Sequence, residues 1–223
     1  MKTDYTLYYW PAPFRGHFIR AILSFAGKSW DEPDDLIQQM SAEPDAQLIP
    51  FMGPPVLRNN ANGFVTSEMP AIAMYLGETL NLLPVSPKDR ALALKIICDA
   101  NDVIDEITLQ GGMEMWTQDS WNAYVPRLKR WMKFWESEIE RDILFSGKIT
   151  VAEIVTATLW MTMTERFSAI QRILKEAAPK TFEQSQKLWT RELSAFAQDS
   201  WDKYGDSYCG GQIEQALRKV AKK

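Results

Sequence analysis

The opening strand of the sequence ends in a phenol that could do chemistry. Residues 5–9 are aromatic or β-branched apart from one leucine, which is typical of a strand, and the run stops at Pro11. Tyr9 stands at its end, and a helical pattern opens near Arg15. A phenol there can activate a thiol by donating a hydrogen bond to sulfur, and the positive end of the helix would add to the effect. On spacing alone the other two tyrosines of the strand compete with Tyr9, because strand tyrosines commonly fill a core.

The elements that must hold this phenol follow in the order βαβ and then ββα. Apolar positions spaced three and four apart predict a first helix, which Gly27 ends. An Asn-rich turn joins the two strands of a hairpin, and Ser67 is the expected N-cap of the third helix. The predicted strands cover residues 5–9, 29–32, 56–59 and 63–66, and the predicted helices cover 14–26, 36–40 and 69–80.

A proline-bounded apolar linker separates this part from a purely helical one. We predict an α/β domain over residues 1–83, a linker over 84–87 and an all-α domain over 88–223. In the second domain, Thr150 and Glu153 form a predicted capping box before an apolar helix. The helices predicted there cover residues 88–115, 120–143, 151–175, 181–203 and 212–221.

Composition and charge exclude several classes of protein. The net charge of −4 resides in residues 1–83, where nine Asp and Glu face five Lys and Arg, so no basic surface for nucleic acid is expected. No apolar run approaches the roughly 20 residues of a membrane span. Cys98 and Cys209 have neither metal-ligand nor Cys-x-x-Cys spacing. We expect a cytoplasmic protein with reduced thiols, no metal and no membrane partner.

Three segments of the first domain resemble the glutathione-binding domain of the cytosolic glutathione transferases. The first segment aligns residue by residue with the motif that carries the catalytic tyrosine in the pi class. The chain is therefore similar to tyrosine-type members of the family, and among them to bacterial-type proteins. The resemblance is specific over residues 5–83 and loose after 87. It implies a thioredoxin-like first domain, an all-helical second domain and a homodimer. The segments are Tyr5-Thr6-Leu7-Tyr8-Tyr9-Trp10-Pro11, Gly53-Pro54-Pro55-Val56-Leu57 and Ser67-Glu68-Met69-Pro70-Ala71-Ile72.

The resemblance implies glutathione as co-substrate and Tyr9 as the catalytic residue. The register of the opening motif selects Tyr9 over Tyr8, and strand alternation allows only one of the adjacent pair to face the sulfur. The phenol would stabilise the glutathione thiolate for attack on a small apolar electrophile. The residues implied to bind glutathione are Tyr9, Trp10, Arg15, Gly53, Pro54, Pro55, Ser67, Glu68 and Met69, with Asp99 supplied by the neighbouring subunit.

Several of these residues depart from the family pattern. Pro55 matches a cis-proline whose preceding residue pairs its backbone with glutathione, yet Pro54 offers a carbonyl and no N–H. Glu68 suits the γ-glutamyl ammonium, whereas Met69 can offer a carboxylate only its backbone amide. Residues 29–57 hold six acids and neither Lys nor Arg, so we predict weak glutathione binding. The donors left for the glycyl carboxylate are Gln38, Gln39, Gln47 and Lys28.

The electrophile should meet a wall built largely by the helical domain. Phe14, Met113 and Trp116 are expected to form an adaptable apolar pocket, although Met and Trp at helical spacing also fill cores. His17, the single histidine, has no acid or nucleophile at a recognisable spacing and is interpreted as structural. Conjugation, peroxidase chemistry and conjugate cleavage would all use this site. The alternative function is a non-catalytic binding or scaffold protein that keeps the fold with a degraded glutathione site.

Overall fold

The first half of the chain folds around a four-stranded mixed sheet. The computed structural model describes residues 2–221, and Met1, Lys222 and Lys223 lie outside the described part. β1 runs parallel to β2 and antiparallel to β3, and β4 is antiparallel to β3. This is the predicted thioredoxin-like βαβ-ββα arrangement. The strands are β1 Tyr5–Tyr8, β2 Trp30–Asp31, β3 Val56–Asn59 and β4 Val65–Ser67, in the spatial order β2-β1-β3-β4.

Three helices accompany this sheet, namely α1 Arg15–Phe25, α2 Leu36–Ser41 and α3 Met69–Thr79. Eight of the eleven residues of α1 are buried, because this helix packs against α3 and also against the helical half of the molecule. The predicted stop after α1 is confirmed. Gly27 adopts a φ of +62°, which glycine tolerates readily, and its N–H donates to the carbonyl of Ser24 at 3.0 Å.

The second half of the described chain is entirely helical. The helices are α4 Pro87–Ile107, α5 Leu109–Gly112, α6 Gln118–Glu140, α7 Val151–Arg166, α8 Ser168–Ala177, α9 Pro179–Thr190, α10 Ser194–Tyr204 and α11 Gly211–Ala221. α7 packs against α1, α4, α8 and α9, and fifteen of its sixteen residues are buried. The predicted capping box is confirmed, since the N–H of Thr150 donates to the Glu153 carboxylate at 2.8 Å while the Thr150 hydroxyl accepts from the first turn. A buried helix end needs such a cap because water cannot reach its free N–H groups.

The predicted helix at 88–115 is shorter in the structure. It ends at Ile107, and the next turn contains two residues in left-handed conformations, Leu109 with a φ of +49° and Gln110 with a φ of +54°. Left-handed backbone cannot continue a right-handed helix. α5 is consequently a separate single turn, and residues 113–115 lie outside it.

Two further predicted helices are each divided into two. The helix expected at 151–175 breaks at Phe167, whose backbone is extended and whose ring is fully buried. The helix expected at 181–203 breaks at Arg191, which leaves α9 and α10 as separate elements. Apolar periodicity did not reveal these breaks, because both fragments keep an apolar face toward the same core.

One apolar core joins the two halves of the molecule. It extends from β1 and α1 through α3 into α4 and α7. Tyr8, Leu36 and Val56 form a smaller cluster of their own. Tyr9 belongs to the large cluster, so the two adjacent tyrosines point to different sides of the sheet, as strand alternation predicts.

Some features of other protein classes are missing from the described residues. Cys98 and Cys209 are free cysteines. Within residues 2–221 none of the helices combines the length and apolar character needed to cross a bilayer. No group of three or more His, Cys, Asp or Glu side chains in this part of the chain is arranged to hold a metal ion.

Candidate functional site

Tyr9 lies directly after β1, beneath the first turn of α1. Its side chain is almost fully enclosed, with the residue only 7% exposed. The ring rests against Gly16, where an added Cβ would stand 2.3 Å from the Tyr9 Cγ. Only glycine at position 16 lets the helix start so close to the ring, since real side-chain contacts are longer than this. The N-terminus of α1 and the phenol are therefore held together by close packing.

The environment of Tyr9 keeps its phenol protonated. Burial raises its pKa to about 12, although the charge of Arg15 and hydrogen-bonding contacts from the backbone N–H groups of Gly16 and Arg15 oppose the rise. Arg20 opposes it as well. At neutral pH the hydroxyl is thus a donor. A donor at the positive end of a helix is suited to stabilising an anion such as a thiolate.

A buried arginine holds the loop that carries Tyr9. Arg20 donates to the carbonyl of Ala12 at 2.8 Å and to that of Trp10 at 2.9 Å. Its guanidinium also forms a two-pronged ion pair with Glu32, and its Cζ lies 5.5 Å from the centroid of the Tyr9 ring. Burial alone would raise the pKa of the Glu32 carboxyl, but the Arg20 hydrogen bonds and charge lower it. Sequence reasoning missed Arg20, because its partners are recognisable only once β2 and the loop are folded together.

Arg15 reaches across to the helical half. Its Nη2 donates to Asp105 at 2.9 Å and its Nε to Asn101 at 3.2 Å, both on α4. The guanidinium carbon also lies 5.2 Å from the centroid of the Phe14 ring. The side chain predicted to border the glutathione site therefore also connects the phenol's helix to α4.

The second predicted motif reaches the same edge of the sheet as Tyr9. The Pro54–Pro55 peptide bond is cis, as predicted, and Pro55 directly precedes β3. Because Tyr8 pairs with Val56 in the sheet register, Tyr9 and Pro55 lie side by side where these strands begin and end. Gly53 and Pro54 are half-buried next to them.

The third motif completes this edge. Val56 pairs with Ser67, the last residue of β4, so the start of α3 stands next to Pro55. The predicted N-cap is wrong, because Glu68 occupies the cap position and no side chain caps the helix. Glu68 is exposed and has a φ of +72°, a left-handed conformation of the kind that clusters at functional sites. Met69 is 1% exposed and packs in the core, so only its backbone remains for a ligand.

Two other predicted ligands have different surroundings. Trp10 is partly exposed on the loop after β1. Asp99 on α4 forms an ion pair with Lys95 one turn earlier, with 2.6 Å between Nζ and Oδ2. An aspartate offered to a second subunit would therefore have to share or exchange this lysine.

Two glutamines of the acidic segment before β3 form their side-chain hydrogen bonds within that segment. The Gln47 side chain donates to the carbonyls of Gln39 and Phe51 and accepts from the N–H of Phe51 at 2.9 Å. The Gln39 amide donates to Asp35 at 3.2 Å. Of the donors considered for a glycyl carboxylate, these two amides are already used, whereas Gln38 is exposed.

The predicted electrophile wall is only partly assembled as expected. Met113 is 78% exposed and borders a cleft of about 380 Å³ between α4, α5 and α6. Trp116 packs in the core instead, where its indole N–H donates to the carbonyl of Ile107 at 2.8 Å. Asp105 also lines the cleft and joins it to Arg15. The cleft is thus more acidic than the sequence pattern suggested.

An aromatic residue from the C-terminal end adds to this region. Tyr208 meets the edge of Phe14 with 5.5 Å between ring centroids. Its loop is fixed by Glu214, whose carboxylate accepts N–H groups of Tyr208, Cys209 and Gly210 at 2.9, 3.0 and 2.6 Å. The predicted helices at 181–203 and 212–221 leave residues 204–211 as a loop, and no motif there predicts this contact.

Comparison with known proteins identifies the family. A family model described as "Glutathione S-transferase, C-terminal domain" matches residues 92–220, which is more than half of the chain. A comparison with curated protein sequences found no match. The structural likenesses described next have sequence identities of 20% or less and therefore establish the fold alone.

Three solved structures illustrate the likeness. NaGST-2 is 20% identical, with a TM-score of 0.71, covering 88% of this chain and 97% of that one. Ure2p5 from Phanerochaete chrysosporium, cocrystallised with 1-(S-glutathionyl)-2,4-dinitrobenzene, is 16% identical with a TM-score of 0.71 over 91% and 96% of the two chains. Monomeric Na-GST-3, a glutathione S-transferase from the hookworm Necator americanus, is 16% identical with a TM-score of 0.69 over 88% and 97%. These structures show the shared fold, and the family model over residues 92–220 shows that the chain belongs to the glutathione S-transferase family.

Proposed function

We propose that this protein is a glutathione transferase in which Tyr9 stabilises the glutathione thiolate for attack on an apolar electrophile. The observation that carries the proposal is the position of Tyr9, which lies directly after β1, against the first turn of α1 and beside the cis-Pro55 segment. A hydrogen bond to the charged form lowers the pKa of the thiol and raises the thiolate population at neutral pH. With 1-chloro-2,4-dinitrobenzene, a carbon–sulfur bond forms, chloride leaves and the thiol proton passes to solvent.

The edge of the sheet supplies a cradle for the tripeptide. In this proposal the cis-Pro55 segment aligns the cysteinyl unit, and the exposed Glu68 carboxylate receives the γ-glutamyl ammonium. The backbone amide of Met69 serves the adjoining carboxylate. The remaining proposed contacts come from Trp10, Arg15, Gly53, Pro54 and Ser67, with Asp99 acting across a subunit interface.

We expect this cradle to bind glutathione weakly. Pro54 has no N–H to offer the cysteinyl carbonyl, a loss worth about 1 kcal/mol. The amides of Gln39 and Gln47 are used within the chain, and the acids around them oppose an anionic carboxylate. Isothermal titration should give a dissociation constant above the low micromolar range, and a tighter value would contradict the proposed weakness.

The electrophile is proposed to bind between Phe14 and the cleft beside Met113. Tyr208 extends the aromatic wall on the Phe14 side, while Trp116 supports the cleft from within the core. Peroxidase activity toward an organic hydroperoxide would use the same thiolate and is proposed as a side activity. Both reactions suit a detoxifying enzyme.

The test compares conjugation of 1-chloro-2,4-dinitrobenzene by the wild type, Tyr9→Phe and Tyr8→Phe. One hydrogen bond to a charged group is worth about 1.5–3 kcal/mol, so Tyr9→Phe should lose roughly 10- to 100-fold in kcat/KM. Tyr8→Phe is the matched control, because Tyr8 lies in the separate small cluster, and it should keep most of the activity. Equal turnover by wild type and Tyr9→Phe would remove Tyr9 from the mechanism. No turnover by the wild type together with no glutathione binding would favour the scaffold function.

We also propose a cytoplasmic homodimer with a glutathione-binding domain over residues 1–83, a linker over 84–87 and a helical domain over 88–223. A shared site at Asp99 requires the second subunit. Light scattering after size exclusion should give about twice the chain mass of 25.6 kDa. A monomer that retains full activity would contradict this part of the proposal.

A further inference from the structure

Arg15, the first residue of α1, is held by two polar side chains of α4. Its Nη2 donates to the Asp105 carboxylate at 2.9 Å, and its Nε donates to the Asn101 side chain at 3.2 Å. The Phe14 ring also contacts the guanidinium, with 5.2 Å between the guanidinium carbon and the ring centroid. A planar guanidinium that is bonded at two of its nitrogens has little freedom to rotate. The contacts with α4 therefore fix the position of this charge.

The charge of Arg15 acts on two sides of the candidate site. Burial raises the pKa of Tyr9 and of Tyr208, and in both cases the charge of Arg15 opposes the rise. The Tyr9 ring rests against Gly16, the residue next to Arg15, and Tyr208 packs edge-on against Phe14. The guanidinium thus lies near both the phenol that is proposed to stabilise the thiolate and the aromatic wall.

One nitrogen of this guanidinium remains available to a ligand. Nη1 of Arg15 has no hydrogen-bond partner among the described residues, and the side chain is 24% exposed. Arg20, the other cation near Tyr9, differs, because Glu32 and two backbone carbonyls engage all three of its nitrogens. A positive charge near a thiol favours the thiolate. Of these two arginines, Arg15 is therefore the one that can add to the effect of Tyr9.

We propose that Asp105 is a positioning residue, which holds Arg15 where its charge stabilises the thiolate of bound glutathione. The carboxylate of Asp105 acts through Arg15, because a negative charge near a thiol by itself disfavours the thiolate. The charge of Asp105 and the guanidinium that it holds therefore shift the pKa of the thiol in opposite directions. This inference rests on the proposed transferase function, and it gives the helical half of the chain a part in activating the thiol.

Three variants separate these two effects through the pKa of the bound thiol, followed by the ultraviolet absorbance of the thiolate at saturating glutathione. Asp105→Ala releases Arg15, and the pKa of the thiol should rise by about 0.5–1 because the guanidinium is free to move away. At a pH well below this pKa, kcat/KM for 1-chloro-2,4-dinitrobenzene should fall roughly 3- to 10-fold with the thiolate population. Asp105→Asn keeps an oxygen that can accept from Arg15, so its thiol should have a pKa at or below the wild-type value.

Asp102→Ala is the matched control. It removes an exposed carboxylate from the same helix, and this carboxylate accepts neither of the Arg15 hydrogen bonds. The pKa of its bound thiol should equal the wild-type value or lie slightly below it. A rise in this control as large as that in Asp105→Ala would overturn the proposal, because contact with Arg15 would then be unnecessary.

Two further results would overturn the positioning role. One is a thiol pKa in Asp105→Ala that equals the wild-type value or lies below it. The other is an equal rise in Asp105→Asn, where the acceptor for Arg15 is retained. If the thiol bound to the wild type has its ordinary pKa of about 8.5, the proposed function fails and this inference fails with it. A lowered wild-type pKa that Asp105→Ala shares overturns this inference alone.

Discussion

Replacing Gly16 by alanine should displace Tyr9 and reduce activity far more than stability. The added Cβ would stand 2.3 Å from the Tyr9 Cγ and 2.4 Å from its Cδ1, about 1.1 Å short of ordinary contact, which begins at 3.4 Å. These atoms belong to the base of a buried ring, so the ring itself must shift. Overpacking of this kind lowers the free energy of unfolding by about 1–3 kcal/mol, whereas the higher helix propensity of alanine raises it by about 1 kcal/mol. The expected net loss of stability is therefore roughly 0–2 kcal/mol.

The effect on catalysis should be larger, because a displacement of about 1 Å can cost 100-fold in rate. We expect kcat/KM for 1-chloro-2,4-dinitrobenzene to fall by about that factor in Gly16→Ala, with urea unfolding as the stability measurement. Gly77→Ala is the matched control, since its Cβ would stand 2.8 Å from Leu83 Cγ near the C-terminal end of α3, whereas the N-terminal end of α3 is the one next to Pro55. Wild-type kcat/KM in Gly16→Ala, or an equal loss in Gly77→Ala, would refute the reasoning.

Three further predictions follow from named contacts. Arg20→Met should lower the free energy of unfolding in urea by about 1.5–3 kcal/mol, because it removes the charged hydrogen bonds to the half-buried Glu32 and to the carbonyls of Trp10 and Ala12. A loss under about 1 kcal/mol would contradict the loop-holding role. Glu153→Ala should lower the free energy of unfolding by about 1 kcal/mol, because the Thr150 capping box is lost. An unchanged kcat would show that this residue acts on folding alone. Burial raises the pKa of Tyr9 from 10.0 to about 12, so its contribution to stability is complete below pH 10 and is lost as pH rises toward 12. Between pH 10 and about 12, Tyr9→Phe should therefore lose less stability than the wild type. Parallel curves of unfolding free energy against pH would be inconsistent with the burial of this phenol.

Much of the sheet-bearing half could be predicted from the sequence because its signals are local. A strand pattern that stops at proline placed Tyr9 at the end of β1, whereas the choice of Tyr9 over Tyr8 and the cis bond at Pro55 came from the resemblance to the glutathione transferases. The capping box at Thr150 was likewise visible as a short pattern with a stated mechanism. The prediction failed at Ser67, where the cap position belongs to Glu68 in a left-handed conformation that no propensity favours.

The missed features depend on contacts between distant parts of the chain. Arg20 becomes a support for the Tyr9 loop only when β2 brings Glu32 beside it. Tyr208 contacts Phe14 although almost two hundred residues separate them in sequence. Trp116 is buried in the core, where its indole N–H donates to the carbonyl of Ile107. Single-sequence patterns describe which faces are apolar, and they do not tell which distant groups meet there.

The most direct test of the central claim is the ionisation of glutathione bound to the enzyme. The thiolate can be followed by its ultraviolet absorbance during a pH titration of the complex, with the wild type and Tyr9→Phe compared at saturating glutathione. If Tyr9 stabilises the thiolate, the pKa of the bound thiol should lie clearly below its ordinary value of about 8.5 in the wild type and return toward that value in Tyr9→Phe. The same pKa in both proteins would contradict the assignment of Tyr9 as the activating residue.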